Sequence, residues 1–263
     1  EVFENRADHE VAREIFGRFP SIIADTRIET TEGTPPATVR RETPMRFLRK
    51  LARVHGFHAY VLPGEEPGSS IGCFRPRRQE GSGLPPLVAA GQGRNLVDVT
   101  FRDDPELPIR SRTRTLRLDD ASAESWERSS TDRQLLQDLP TLPPGTQPGL
   151  RRLDPQDAVR EDGDVTTQGR AEARRWSNHV EGRLVPGCYP AALRPYETVQ
   201  IRAGTLPWSG SWVLTRVVHT LTPGAWTQQF EAESDGLHDL DAAPLTGPGG
   251  GLSVDAAADL SLF

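Results

Sequence analysis

The stretch ETPMRFLRKLARVHGFHAYVLPG, residues 42 to 64, constrains the fold more than any other part of the chain, because a helix, a stop and a strand follow one another without a gap. Thr43 stands at the cap position and Pro44 in the first turn, where a missing N–H costs nothing. Met45, Leu48, Leu51, Ala52 and His55 recur at three- and four-residue steps, so one side of the predicted helix is mostly apolar. Gly56 sits where a helix takes a left-handed terminating residue. Phe57, Ala59 and Val61 then alternate with His58, Tyr60 and Leu62 at the period of a strand. The stretch defines a small α+β building block.

The flanking sequence extends that block over residues 1–78. Asp8 is placed to cap a helix whose apolar side is Val11, Ala12, Ile15, Phe16 and Phe19, ended by Pro20. SIIADTRIET reads as a strand, and FHAYVL with IGCFRP as partner strands across PGEEPGSS. A Gly/Pro-rich junction begins at residue 79, after which the chain turns β. Residues 79–118 and 180–236 carry short alternating runs punctuated by Pro-Gly or Gly turns, as in an antiparallel β-barrel or sandwich. Residues 119–164 have little periodicity and much Pro, Ser and acid; residues 119–179 are expected to be an inserted excursion and a helix around Gln168 to Asn178 that buries Ala173, Trp176 and Val180. Residues 237–263 are expected to be a flexible C-terminal tail. The predicted fold class is mainly β with an α+β part.

Charge and chemistry narrow the function. The net charge of −6 argues against nucleic-acid binding as a primary role. No apolar run approaches the length of a membrane span, so membrane insertion by this chain is not expected. Cys73 and Cys188 form no metal or redox spacing, and a reducing compartment is expected. GSSIG, residues 68 to 72, has the spelling of a nucleophile elbow around Ser70, but CFRPRRQEG after it has no helical period, and the elbow needs a helix there. The six histidines lack ligand spacing, and carboxylates such as Glu65 and Asp104 are not paired by sequence. Trp208 and Trp212 offer either a barrel core or a sugar-stacking platform. No catalytic residue, cofactor or metal site is predicted. Two arginine-rich faces stand out as possible subunit interfaces: Arg46, Arg49, Lys50 and Arg53 on the helix, and Arg110, Arg112 and Arg114 on one face of a strand. Each also reads as an ordinary solvated face.

VFENRADHEVAREIFGRF, then ETPMRFLRKLARVHGFHAYVL, then IGCF, resembles the phage late-control protein D family, the gp27-like tail and baseplate hub proteins. The resemblance rests on Phe3 and Asn5, on Phe47, Leu48, Leu51, Ala52 and Gly56, and on the strand around Tyr60. Farther on it rests on Gly182, Pro186, Gly187, Val199, Gly204, Ser209, Gly210, Val213, Val217, Val218, His219 and Phe230. It covers roughly two thirds of the chain. It implies a hub barrel beside a small α+β domain, and sequence upstream of Glu1 that carries a first barrel. It further implies a homotrimeric ring that joins a hexameric inner tube protein to a trimeric spike protein among other baseplate proteins. Assembly would be in the bacterial cytoplasm, within a phage tail, type VI secretion or extracellular injection particle. The rival expectations are a baseplate-borne cell-wall hydrolase using Ser70 or Glu65 with Asp104, and a carbohydrate-binding module using Trp208 and Trp212.

Overall fold

Pro44 opens a helix that closes at Val54 in the computed structural model, and Gly56, at φ +68°, ends it. The structure describes residues 1–77, 83–104, 109–116, 123–129, 139–140, 149–152, 163–204 and 206–237. The expected tail, residues 237–263, lies outside the described residues beyond 237, as does most of the 119–164 excursion.

The N-terminal part runs β1 (Val2–Glu4), α1 (Asp8–Gly17), β2 (Ile23–Ile28), β3 (Ala37–Val39), α2 (Pro44–Val54), β4 (His58–Pro63) and β5 (Ser70–Arg75). β5 lies centrally, parallel to β2 and antiparallel to β4, while β1 and β3 form a separate antiparallel pair. Phe3, Val11, Ala12, Ile15, Phe16, Phe47, Leu48, Leu51, Ala52, Ala59 and Phe74 make one core. The α2 stop is a Schellman turn: the Phe57 N–H donates to Ala52 O at 2.8 Å, across the left-handed Gly56.

Two local expectations change. Asp8 is the first helical residue of α1 and not its cap; Ala7 holds the cap position, and its N–H donates to Glu10 Oε2 at 3.2 Å. The Asp8 side chain is buried and meets His55 Nε2 at 2.7 Å, so it ties α1 to the end of α2. Phe19 does not join the core but is 40% exposed.

The chain continues as β6 (Leu87–Val88), β7 (Leu96–Asp103), β8 (Ile109–Leu116), β9 (Ala123–Ser129), β10 (Leu139–Pro140), β11 (Gly149–Arg152) and α3 (Gly163–Ala173). It closes with β12 (Asn178–Leu184), β13 (Thr198–Arg202), β14 (Gly210–Thr222), β15 (Ala225–Ser234) and β16 (Gly236–Leu237). Six of these strands form a curled half-barrel in the order β6-β13-β14-β15-β12-β7. Strand alternation turns Val180, Leu184, Val199, Ile201, Trp212, Leu214, Phe230 and Ala232 into its core. The opposite face is polar, with Arg183–Asp98, Arg102–Glu181 and Arg216–Glu231 pairs linking neighbouring strands. At the open edge β7, Arg94 covers the carbonyls of Leu96 and Val97, at 2.8 and 2.6 Å. That blunts part of an edge that would otherwise template pairing with another chain.

The structure divides the β region differently from the sequence reading. β8 leaves the half-barrel and pairs with β9 and, in parallel, with β11. The stretch expected to be an excursion thus supplies β9, β10, β11 and α3 among its described residues. α3 begins at 163 and ends at 173, earlier than expected, so Trp176 lies beyond it. α3 covers the face of β8 that carries buried Ser111 and Thr113, and the Thr167 hydroxyl lies 2.6 Å from that of Thr113.

α3 also crosses the end of α2, and the approach is glycine-limited. A Cβ on Gly169 would lie 2.0 Å from Val54 O, and one on Gly56 would lie 2.7 Å from the Glu172 Cβ. Helix propensity alone favours alanine over glycine by about 1 kcal/mol. The backbone overlap reverses that sign: Gly169→Ala is expected to destabilise the protein by about 2 kcal/mol in urea titration.

Candidate functional site

The α+β unit and the β region meet across a buried, charged and aromatic junction. Arg175 follows α3 and is 1% exposed; its Nε donates to Asp235 Oδ2 at 2.8 Å, its Nη2 reaches the same oxygen, and its Nη1 donates to Glu172 Oε1 at 3.0 Å. The Asp235 side chain is fully buried. One guanidinium fork therefore joins the end of α3 to the end of β15.

A second arginine crosses from the other side. Arg77 Nε donates to His58 Nε2 at 3.1 Å, Nη1 pairs with Glu233 of β15, and the guanidinium lies 4.5 Å from the Trp176 ring centroid. Tyr60 and Tyr196 stack with centroids 3.7 Å apart and planes 7° off parallel, and His58 meets Tyr196 edge-on. Tyr196 holds φ at +67°, which costs an aromatic residue about 1–2 kcal/mol and is offset by that stack.

Protonation follows from these contacts. The Arg77 N–H needs the lone pair on His58 Nε2, so His58 is neutral. Burial, with Arg77 beside it, lowers its pKa to about 4. Burial pushes Tyr60 up to about 12 against the opposing hydrogen bond from Arg75, and it also raises Tyr196 and Cys73. These shifts keep the junction's aromatic and sulfur groups protonated and its histidine uncharged near neutral pH. They create no poised nucleophile or base.

The structure scatters the residues nominated for chemistry. Ser70 opens β5, and a strand, not a helix, follows it, so no nucleophile elbow forms. Glu65 lies in the β4–β5 turn and Asp104 follows β7, in separate parts of the molecule. Trp212 is 1% exposed, its Nε1 donates to Trp208 O, and Phe101 stacks on Trp208; both tryptophans belong to the core side and form no sugar platform. Among the described residues no group of three His, Cys, Asp or Glu side chains is arranged to hold a metal ion. No helix among them is long and apolar enough to cross a membrane.

The nominated arginines fall into two settings. Arg46, Arg49, Lys50 and Arg53 all lie exposed along α2, with Arg46 and Lys50 sharing Glu42 at 3.0 and 3.9 Å. Among the described residues no carboxylate pairs with Arg49 or Arg53. Arg110 and Arg112 on β8 both engage Glu127, at 3.2 and 2.6 Å. The Arg114 side chain lies outside the described residues.

Sequence reasoning missed the junction arginines and one surface. The β14–β15 hairpin extends past the core and turns through Pro223 and Gly224, with Gly224 at φ +82°. Leu221 pairs across it with Trp226, on the face that is core farther down; they are 77% and 39% exposed. Trp226 stacks on His219 and donates to its Nδ1 at 3.2 Å. Beside it lies a cavity of about 230 Å³ lined by Leu184, Pro186, Tyr189 and Trp226 among others. An apolar strand face continuing into solvent was visible as the parity of Val217, His219 and Leu221, but only the hairpin register shows that it outruns the core.

No family model matches the chain, and no curated protein matches it in sequence. In structure it is similar to the tail protein from Neisseria meningitidis MC58, with 12% identity and a TM-score of 0.56 over 93% of this chain and 72% of that one. It is also similar to the 43 kDa tail protein of prophage MuSo2 from Shewanella oneidensis, with 11% identity and a TM-score of 0.55 over 88% of this chain. The chain spans 65% of that second protein's length. At these identities the likeness is one of fold: this chain has the mainly β architecture, with its α+β part, of phage tail proteins.

Two measurements test the junction. Removing Arg175 as Arg175→Ala leaves two carboxylates buried together, and a loss of about 3–5 kcal/mol is expected in chemical denaturation. Removing all three charges together should cost less than that single substitution. His58 gives a pH signature: the unfolded chain takes up its proton near the usual 6.5 and the folded chain only near 4. Stability is thus full above that upper value and falls by roughly 2–3 kcal/mol as pH drops toward the lower one. His58→Gln, which keeps an acceptor for Arg77, should remove that part of the slope between the two values.

Proposed function

We propose that this chain is a non-enzymatic structural component of a tail, working as a baseplate hub whose three copies close a ring between inner tube and spike. The observation that carries the reading is the fold likeness to two phage tail proteins over 93% and 88% of the chain. The order of motifs from Phe3 to Phe230, similar to that of the gp27-like hub family, supports the finer assignment. The junction gives it a mechanical rationale: the Arg77–Glu233 ion pair, the Tyr60–Tyr196 stack and the close α2–α3 approach hold two units at a fixed angle, as a part that transmits force requires.

In this reading the partners are two further copies, the tube protein, the spike protein and neighbouring baseplate proteins, and the particle is a phage tail or an injection machine built in the bacterial cytoplasm. Closed rings use heterologous contacts, in which one patch meets a different patch on the next copy. The exposed stripe Arg46, Arg49, Lys50 and Arg53, the β8 row and the Leu221–Trp226 tip supply such patches. Co-expression with the tube and spike proteins, followed by sedimentation and pull-down, tests it. Three copies of this 29.0 kDa chain per complex, bound to both proteins, are expected. A chain that stays monomeric at high concentration and binds neither protein overturns the proposal.

A further inference from the structure

We infer that His58 is an acid release for the joint between the α+β unit and the β region: a proton on its Nε2 frees Arg77 and lets the two part while each core stays folded. Among the described residues the chain crosses between them once, after Arg77. The joint is otherwise held by side chains and by the α2–α3 approach. Arg77 spans it. Its Nη1 pairs with Glu233, its guanidinium lies 4.5 Å from the Trp176 ring centroid, and its Nε donates to His58 Nε2 at 3.1 Å.

The last of these contacts sets the sign. It needs the lone pair on Nε2, and a proton there turns the acceptor into a donor, so that two N–H groups confront each other. The surrounding groups match the new charge poorly. Tyr196 meets the ring edge-on, with Arg49 of α2 and Glu233 of β15 bearing on it, and Arg75 donates to Tyr60 on the same strand as His58 at 3.0 Å. Glu233 is the carboxylate of this set, and His179 of β12 shares it at 3.6 Å. An imidazolium would join three arginines around a single anion that is already divided.

Linkage gives the size of the effect. With the units parted, the ring meets water and takes its proton near the usual 6.5; with them joined, it takes one only near 4. The joined state is therefore fully favoured above the upper value and loses ground as pH falls toward the lower one. Across that range the ratio of parted to joined chains rises about tenfold for each pH unit, roughly 300-fold in all. The joint is closed at neutral pH, as the proposed tail role requires, and acid unlatches it. The device goes beyond that role and does not need it.

The joint carries its own reporter. Cys73 is fully buried yet belongs to neither core. Its neighbours on β5, Gly72 and Phe74, face the helices, so strand alternation turns Cys73 to the opposite side, next to its cross-strand partner Tyr60 and toward Tyr196. Parting the units uncovers this thiol. Cys188 is exposed throughout and serves as a reference in the same chain.

The test traps the two native thiols of the full chain with a pyridyl disulfide between pH 8 and pH 4, approximate limits set by the two protonation values, and reads each site by peptide mass. Dividing the Cys73 rate by the Cys188 rate cancels the pH dependence of the chemistry itself. That ratio should be constant above about pH 6.5 and rise roughly 300-fold by about pH 4. In His58→Gln it should stay flat, whereas Glu233→Gln should raise it at every pH with the slope unchanged. Ala12→Cys and Ala232→Cys, each made separately, place a thiol in one core and in the other, and both should stay protected throughout. A flat ratio in the unaltered chain, a rise that survives His58→Gln, or core thiols labelled in step with Cys73 would each overturn the inference. The slope of the unaltered chain and the core thiols decide it even where His58→Gln does not fold. Because the readout is made on the free chain, its failure is distinguishable from failure of the ring.

Discussion

The fork of Arg175 between Glu172 and Asp235 is the contact on which the rest of the molecule depends. It is buried, and each carboxylate comes from a different element: one from α3, the other from the end of β15. Buried ion pairs add little net stability compared with apolar packing of the same volume, but their geometry is demanding, and a misaligned arrangement strands a charge. The fork therefore selects one placement of α3 against the end of β15. From that frame the Gly169–Val54 approach, the Tyr60–Tyr196 stack and the Arg77 bridge cross to the α+β unit and fix its placement. Three contacts, a backbone approach, a ring stack and an ion pair, agree on one geometry between the units.

That agreement explains the distribution of polar groups. The half-barrel keeps its apolar side inward and tiles its outer face with alternating charges, while the junction carries the buried polar groups that a simple two-core protein would omit. None of them is activated for chemistry: the histidine is held neutral and the tyrosines and Cys73 are held protonated. The molecule spends its unusual residues on fixing shape, and leaves an apolar hairpin tip and a cationic helix face for contacts with something else.

Local features were legible in the sequence because their causes are local. The α2 helix, its glycine stop and the β4 strand follow from Pro44 in the first turn, from Gly56 and from two periodicities, and the i, i+3, i+4, i+7 spacing put Arg46, Arg49, Lys50 and Arg53 on one exposed face. What was not legible depends on partners far along the chain. Asp8 looked like a cap because its actual partner, His55, is 47 residues away. β8 looked like a half-barrel strand because its parallel pairing with β11 leaves no trace in either alternation. Trp176 looked helical because nothing nearby shows that Arg77 covers its ring. Arg175 and Tyr196 are single residues without pattern, and only the fold gives them neighbours.

The proposed role is that of a rigid segment of a tail ring that makes or breaks no bond. Electron cryomicroscopy of an intact particle that contains it tests this most directly. The account predicts three copies in a closed ring where tube meets spike, each with α2 at a contact and with the Arg175–Asp235 junction unchanged from the free chain. Copies found singly, away from the tail axis, or with the two units rotated about an opened junction, would contradict it.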